Sequence, residues 1–133
     1  MNEITLRVGE AEYLLLYNGA AHFELRGRYG ETFLSGTDLS KKEDVLKIID
    51  MLCVLAEQGE LCRRETGYDA QPFLTAQKLL AVMLPADVIT VHKKLLAAVS
   101  WGLRRDVADA VETGGDGRID EGLLELQKKT EIR

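Results

Sequence analysis

Apolar residues first recur along this chain with a period of two. Ile4, Leu6 and Val8 alternate with Thr5 and Arg7, Gly9-Glu10 interrupts, and Ala11 to Tyr17 resumes with aromatic and aliphatic side chains. This pattern predicts a β-hairpin closed by a tight, glycine-assisted turn. Two strands alone are marginal in water, so the hairpin has to lie on helices or pair with another chain. The run Tyr13-Leu14-Leu15-Leu16-Tyr17 is apolar on both faces and needs cover on both sides.

The period then changes to that of a helix. Asn18 stops the strand and is placed to cap a helix from about Ala20 to Tyr29, a weak one with Gly27 inside it and Gly30 as terminator. Ser40-Lys41-Lys42-Glu43 reads as a capping box. Behind it Val45, Ile48, Ile49, Leu52, Leu55 and Ala56 fall at three- and four-residue spacing, with Lys47, Asp50 and Glu57 opposite, and Gly59 reads as the helix end. Residues 60–65 are read as a further short helix closed by Gly67. Pro72 and Pro85 bracket a helix from Phe73 to Leu84, with Leu74, Leu79, Leu80, Met83 and Leu84 at helical spacing. Pro85 suits the first turn of the next helix, about Ala86 to Val111, striped by Val88, Val91, His92, Leu95, Leu96, Val99 and Leu103. The stretch Thr113-Gly114-Gly115-Asp116-Gly117 reads as a linker, and Ile119, Leu123, Leu124 and Leu126 give the tail a short amphipathic pattern. About 15 tethered residues hold no helix alone, so the tail either docks back or folds on a partner.

These elements predict an α+β protein: an N-terminal hairpin, a mainly helical body of four to five helices over residues 1–112, and a flexible tail over 113–133. The 133 residues suit one domain whose core needs no staple. No apolar run approaches the ~20 residues of a spanning helix, and the N-terminus carries no basic stretch followed by an apolar one. A cytoplasmic protein is therefore expected. A net charge of −5 argues against gripping nucleic-acid backbones as the main activity.

The search for chemistry returns little. Cys53 and Cys62 are expected as reduced, packing thiols; the phosphatase spacing Cys-x5-Arg fails because Tyr68 stands where the arginine belongs. Asp116-Gly117-Arg118-Ile119 tempts an EF-hand reading, yet Gly114 and Leu123 occupy two ligand positions. His22 and His92 fall on different helices with no ligand-spaced partners, so no metal site is expected; His22 reads as a surface residue and His92 as a core histidine. Ser35, Ser40 and Ser100 lack a nucleophile elbow, and Gly27-x-x-Gly30 is too short for a phosphate loop. No catalytic residue, cofactor or metal is expected, and the chain is read as a non-enzyme. One nucleic-acid alternative stands: residues 77–96 fill roughly the places of a helix-turn-helix with Lys93-Lys94 on the second helix, although Pro85 sits where a turn glycine is usual.

The order of elements resembles a known family. Residues 4–15 give the hairpin. An Asn-initiated helix carries Phe23-Glu24-Leu25 and ends in Tyr29-Gly30, a capped helix and a Leu/Ala-rich helical core follow, and the charged tail contains Glu125-Leu126-Gln127-Lys128-Lys129. This pattern, over most of residues 3–111, resembles the tail assembly chaperones of long-tailed phages and of prophages in Gram-positive bacteria. The segment Cys62 to Tyr68 departs from it. The resemblance implies a small, non-enzymatic cytoplasmic protein that coats the tape-measure protein, recruits tail-tube subunits to it and is absent from the finished virion. It also implies a longer product made by ribosomal frameshifting near the end of the first reading frame, where Lys128-Lys129 stand. On this reading Tyr13, Leu14 and Leu16 mediate self-assembly by strand-edge pairing into a homo-oligomer, while Leu123, Leu124 and Leu126 engage protein clients by folding on them. A cytoplasmic adaptor with an unrelated protein partner remains the other alternative.

Overall fold

The computed structural model describes residues 3–114, with side-chain detail as far as residue 103. Two strands, β1 (Thr5–Val8) and β2 (Ala11–Leu14), form an antiparallel hairpin. Four helices follow among the described residues: α1 (Gly19–Tyr29), α2 (Lys42–Glu65), α3 (Ala76–Val82) and α4 (Asp87–Gly114). The architecture is α+β, as the two periodicities predict. No helix among the described residues is long and apolar enough to cross a membrane. Thr113 and Gly114, read as the start of a linker, are instead the last residues of α4, while Leu123, Leu124 and Leu126, with the rest of 115–133, lie outside the described residues.

Register in the hairpin is set by its turn. Gly9 adopts φ +64° while Glu10 stays at negative φ, the arrangement of a two-residue turn with glycine first. Thr5 therefore faces Leu14, Leu6 faces Tyr13, Arg7 faces Glu12 and Val8 faces Ala11. The Leu15 N–H donates to the Ile4 carbonyl at 2.9 Å, so Ile4/Leu15, Leu6/Tyr13 and Val8/Ala11 are the hydrogen-bonded pairs. The backbone groups of Glu12 and Leu14 then point outward along one edge, and those of Thr5 and Arg7 along the other.

The outer edge of β2 is spoken for. The Glu12 carbonyl accepts from Gln71 Nε2 at 3.0 Å, and the Leu16 N–H donates to the Leu55 carbonyl of α2 at 3.1 Å. Between them the Leu14 carbonyl lies so close to Gly59 that a Cβ there would stand 1.8 Å from its oxygen. Gly59 is thus an interior residue of α2, not its end: the strand needs a side-chain-free patch on the helix, and tertiary contact overrides glycine's habit of terminating helices. Gly102 of α4 does the same for the Tyr17 carbonyl and ring. The segment Leu14–Tyr17, apolar on both faces, is held between these two helices.

Helix α2 is the centre of the fold. Ile48, Ile49, Met51, Leu52, Val54, Leu55 and Ala56 are all buried, a wider stripe than the sequence pattern marked. It takes β2 on one side, α1 on another, and α3 and α4 on the rest. Its start differs from the expected capping box. Lys41 is the N-cap with no side-chain cap bond, because Ser40 donates from both N–H and Oγ to Asp38 Oδ1 instead. The Asn18 cap of α1 is as expected, with Oδ1 accepting from the Ala21 N–H at 2.9 Å. Residues 60–65 continue α2 and are not a separate helix, and α3 is shorter than the interval between the two prolines.

Candidate protein-binding surface

Three short-range devices build the α3–α4 corner. Thr75 caps α3, its Oγ1 accepting from the Lys78 N–H at 3.1 Å. Asp87 opens α4, and its Oδ2 accepts from the Leu84 N–H at 2.8 Å, closing the turn around Pro85. Lys78 Nζ donates to Tyr13 Oη at 2.9 Å, which fastens the corner to the hairpin. On the inner side Leu79, Val91 and Leu95 are buried in the core.

Apolar side chains are also exposed along this corner. Leu84 is 66% exposed and Ile89 57%, and Leu80, Val82 and Leu96 are exposed with them. The sequence pattern placed Leu80, Leu84 and Leu96 with the buried stripes; no further element of the described chain covers these side chains. Scattered apolar residues on a surface are ordinary, but a contiguous run of them marks an interaction site. Beside it a hollow of about 320 Å³ is lined by Leu6, Arg7 and Gly9 from the hairpin and by Leu79, Val82, Met83, Asp87, Thr90 and Val91 from the corner. Arg7 and Asp87 put one charge of each sign in its lining.

A second feature adjoins this hollow. The outward N–H and C=O groups of Thr5 and Arg7, on the free edge of β1, meet no partner among the described residues. The sequence reading put strand-edge assembly on β2 at Tyr13, Leu14 and Leu16. There Tyr13 is buried, Leu14 sits against Gly59 and Leu16 is bonded to α2, so that edge is used within the chain. Period-two patterning fixes faces but says nothing about which edge a helix covers.

The polar clusters are structural clasps. Glu60, with 1% of its side chain exposed, accepts from Arg63 Nη1 at 2.5 Å, from Arg64 Nε at 3.0 Å and from the Gln71 N–H at 2.8 Å. Burial alone would raise its carboxyl, but these hydrogen bonds hold it below the usual carboxylate range. Arg64 also reaches the Gln71 carbonyl, so Glu60 fixes the loop whose Gln71 closes the β2 edge. Asp50 on α2 binds Arg28 at 2.8 and 2.9 Å and Tyr29 Oη at 2.5 Å, fastening α1. Desolvation, with the Asp50 hydrogen bond, pushes the Tyr29 phenol up to about 12. Cys53 is half-buried, and desolvation pushes its thiol up to about 11, far from a thiolate nucleophile. His22, expected at the surface, is half-buried and hydrogen-bonded to Tyr17 Oη, and His92 is half-buried. Among the described residues no three His, Cys, Asp or Glu side chains gather as a metal site.

In comparisons with known proteins, no family model, no curated protein and no solved structure matches the chain.

Proposed function

We propose that the chain is a non-enzymatic tail assembly chaperone of a long-tailed phage or prophage, acting in the cytoplasm of the bacterial host. It holds the tape-measure protein and recruits tail-tube subunits to it. The observation that carries this reading is the α3–α4 corner, where Leu80, Val82, Leu84 and Ile89 are exposed near a hollow whose mixed lining includes Leu79, Val82 and Val91 with Arg7 and Asp87. A very long helical client presents repeated apolar faces, and such a corner receives one by helix-in-groove contact. The order of hairpin, Asn18-capped helix and helical core supports the same reading.

The test is co-expression of the full chain with the tape-measure protein encoded beside it, followed by capture of either partner. Wild-type chain is expected to keep the long protein in solution and to elute with it. A Leu84→Lys, Ile89→Lys chain with unchanged circular dichroism is expected to lose it. A tape-measure protein that precipitates equally with and without the wild-type chain overturns the function. Equal capture by the double variant overturns the surface.

A further inference from the structure

We propose that two copies of this chain pair through the outer edges of their β1 strands, antiparallel about a two-fold axis at Thr5, to make a four-stranded sheet. The proposal does not depend on the chaperone reading.

The first argument is the free edge. Gln71 and α2 sit along the outer side of β2, whereas the outward backbone groups of Thr5 and Arg7, on the other edge, meet no partner among the described residues. An uncovered strand edge is a template for another strand. Edges that stay unpaired usually carry a proline, a bulge or a dense run of charge, and residues 3–8 (Glu-Ile-Thr-Leu-Arg-Val) have no proline and one charge of each sign.

The second argument is the charge pattern, which is self-complementary. Only odd-numbered residues point their backbone groups outward, so the hydrogen-bonded pairs across the axis are odd with odd. With Thr5 facing Thr5 of the second copy, Glu3 faces Arg7 of that copy and Arg7 faces its Glu3. Two opposite-charge pairs form at once, and neither Glu3 nor Arg7 has an ion-pair partner among the described residues. The same register sets the second copy's Ile4 beside Leu6, at the hollow lined by Leu6, Val82, Met83 and Val91. Ile4 is itself only partly buried in the single chain. Moving the axis to Arg7 would oppose two arginines, and a slip by one residue would turn the apolar face outward.

An edge of this length buries less than a standard interface, so the dimer is weak and its population rises with concentration. Sedimentation equilibrium of the full chain, up to about 200 µM, is expected to show a reversible monomer–dimer equilibrium. Arg7→Glu sets like charges opposite each other twice and is expected to weaken dimerisation about tenfold. Glu3→Arg combined with Arg7→Glu restores the pairs and is expected to return the affinity to within about threefold of wild type. Thr5→Pro removes the N–H at the axis, which the hairpin does not use, and is expected to leave a folded monomer. A monomer throughout the concentration range overturns the proposal. So does a dimer indifferent to Thr5→Pro, or one in which the double charge exchange fails to restore what Arg7→Glu removes. Circular dichroism of each variant separates loss of pairing from loss of fold.

Discussion

Helix α2 and the α3–α4 corner are both rich in apolar residues and use them in opposite ways. Every large aliphatic residue of α2 from Ile48 to Leu55 is buried, because β2, α1, α3 and α4 approach from several directions. In α3 Leu79 is buried while its neighbours Leu80 and Val82 stand exposed. Hydrophobic content is similar; what differs is whether the chain supplies a cover. Burial stabilises the fold at about 25 cal/mol per Å² of apolar surface. The corner leaves that stabilisation unrealised in the described chain. α2 therefore carries the stability, and the corner contributes little of it.

Substitutions on the α2 side test the first half of that contrast, and the largest effect is expected at Gly59. A methyl group there collides with backbone atoms of Leu14, at 1.8 Å from the oxygen and 2.6 Å from the carbon, so strand or helix has to move. Gly59→Ala is expected to lose about 3 kcal/mol despite the better helix propensity of alanine. Gly27 provides the comparison within the same chain, since a Cβ there meets nothing within 4 Å. Gly27→Ala is expected to gain about 0.5 kcal/mol. Urea denaturation followed by circular dichroism measures both. Similar gains from the two substitutions would show that β2 does not press on α2.

The Glu60 clasp comes next in size. Glu60→Gln leaves two arginines and a loop N–H around a neutral amide and is expected to cost about 2 kcal/mol near neutral pH. The sign with pH follows from the depressed carboxyl. Its stabilisation is full above the unfolded glutamate pKa of about 4.3 and is lost as pH falls through the lower folded value. Wild type and variant are therefore expected to differ most near neutrality and to converge in acid. A gap between them that stays constant down to strongly acidic pH would remove Glu60 from the acid limb.

Residues whose role is local were legible in the sequence. Asn18 caps α1, Gly9-Glu10 makes the hairpin turn, and the stripe from Val45 to Ala56 faces inward, because each depends on neighbours a few positions away. Two readings failed where a distant segment decided the outcome, and a third where a nearer residue competed for the same hydrogen bonds. Gly59 resembled a helix end until Leu14 was seen to lie on it. Ser40 had the spacing of a cap, and Asp38 took its hydrogen bonds. Tyr13, Leu14 and Leu16 looked like an assembly edge, yet α2 and Gln71 use that edge. The candidate site fared worse than the fold for the same reason. Leu80, Leu84 and Leu96 sit at helical spacing like core residues, and only the absence of a covering element among the described residues distinguishes them.

The smallest expected effect makes the sharpest test of the contrast. Leu84→Ser with Ile89→Ser removes two large aliphatic side chains, a change that costs several kcal/mol where such residues are buried. Here both stand in solvent, at 66% and 57% exposure, so the free chain loses little surface burial by their removal. Serine is a weaker helix former than isoleucine or leucine, but Ile89 lies in the first turn of α4 and Leu84 precedes the helix, where that penalty is small. The double variant is expected to unfold within about 0.5 kcal/mol of wild type. Leu52→Ala alone, in the wrapped part of α2, is expected to cost about 3 kcal/mol. If the double serine variant proved as destabilised as Leu52→Ala, the corner would be core covered by a part of the chain beyond the described residues, and its surface would not be open to a client. Stability held with client capture lost would instead place the two aliphatic side chains on the binding side of the balance.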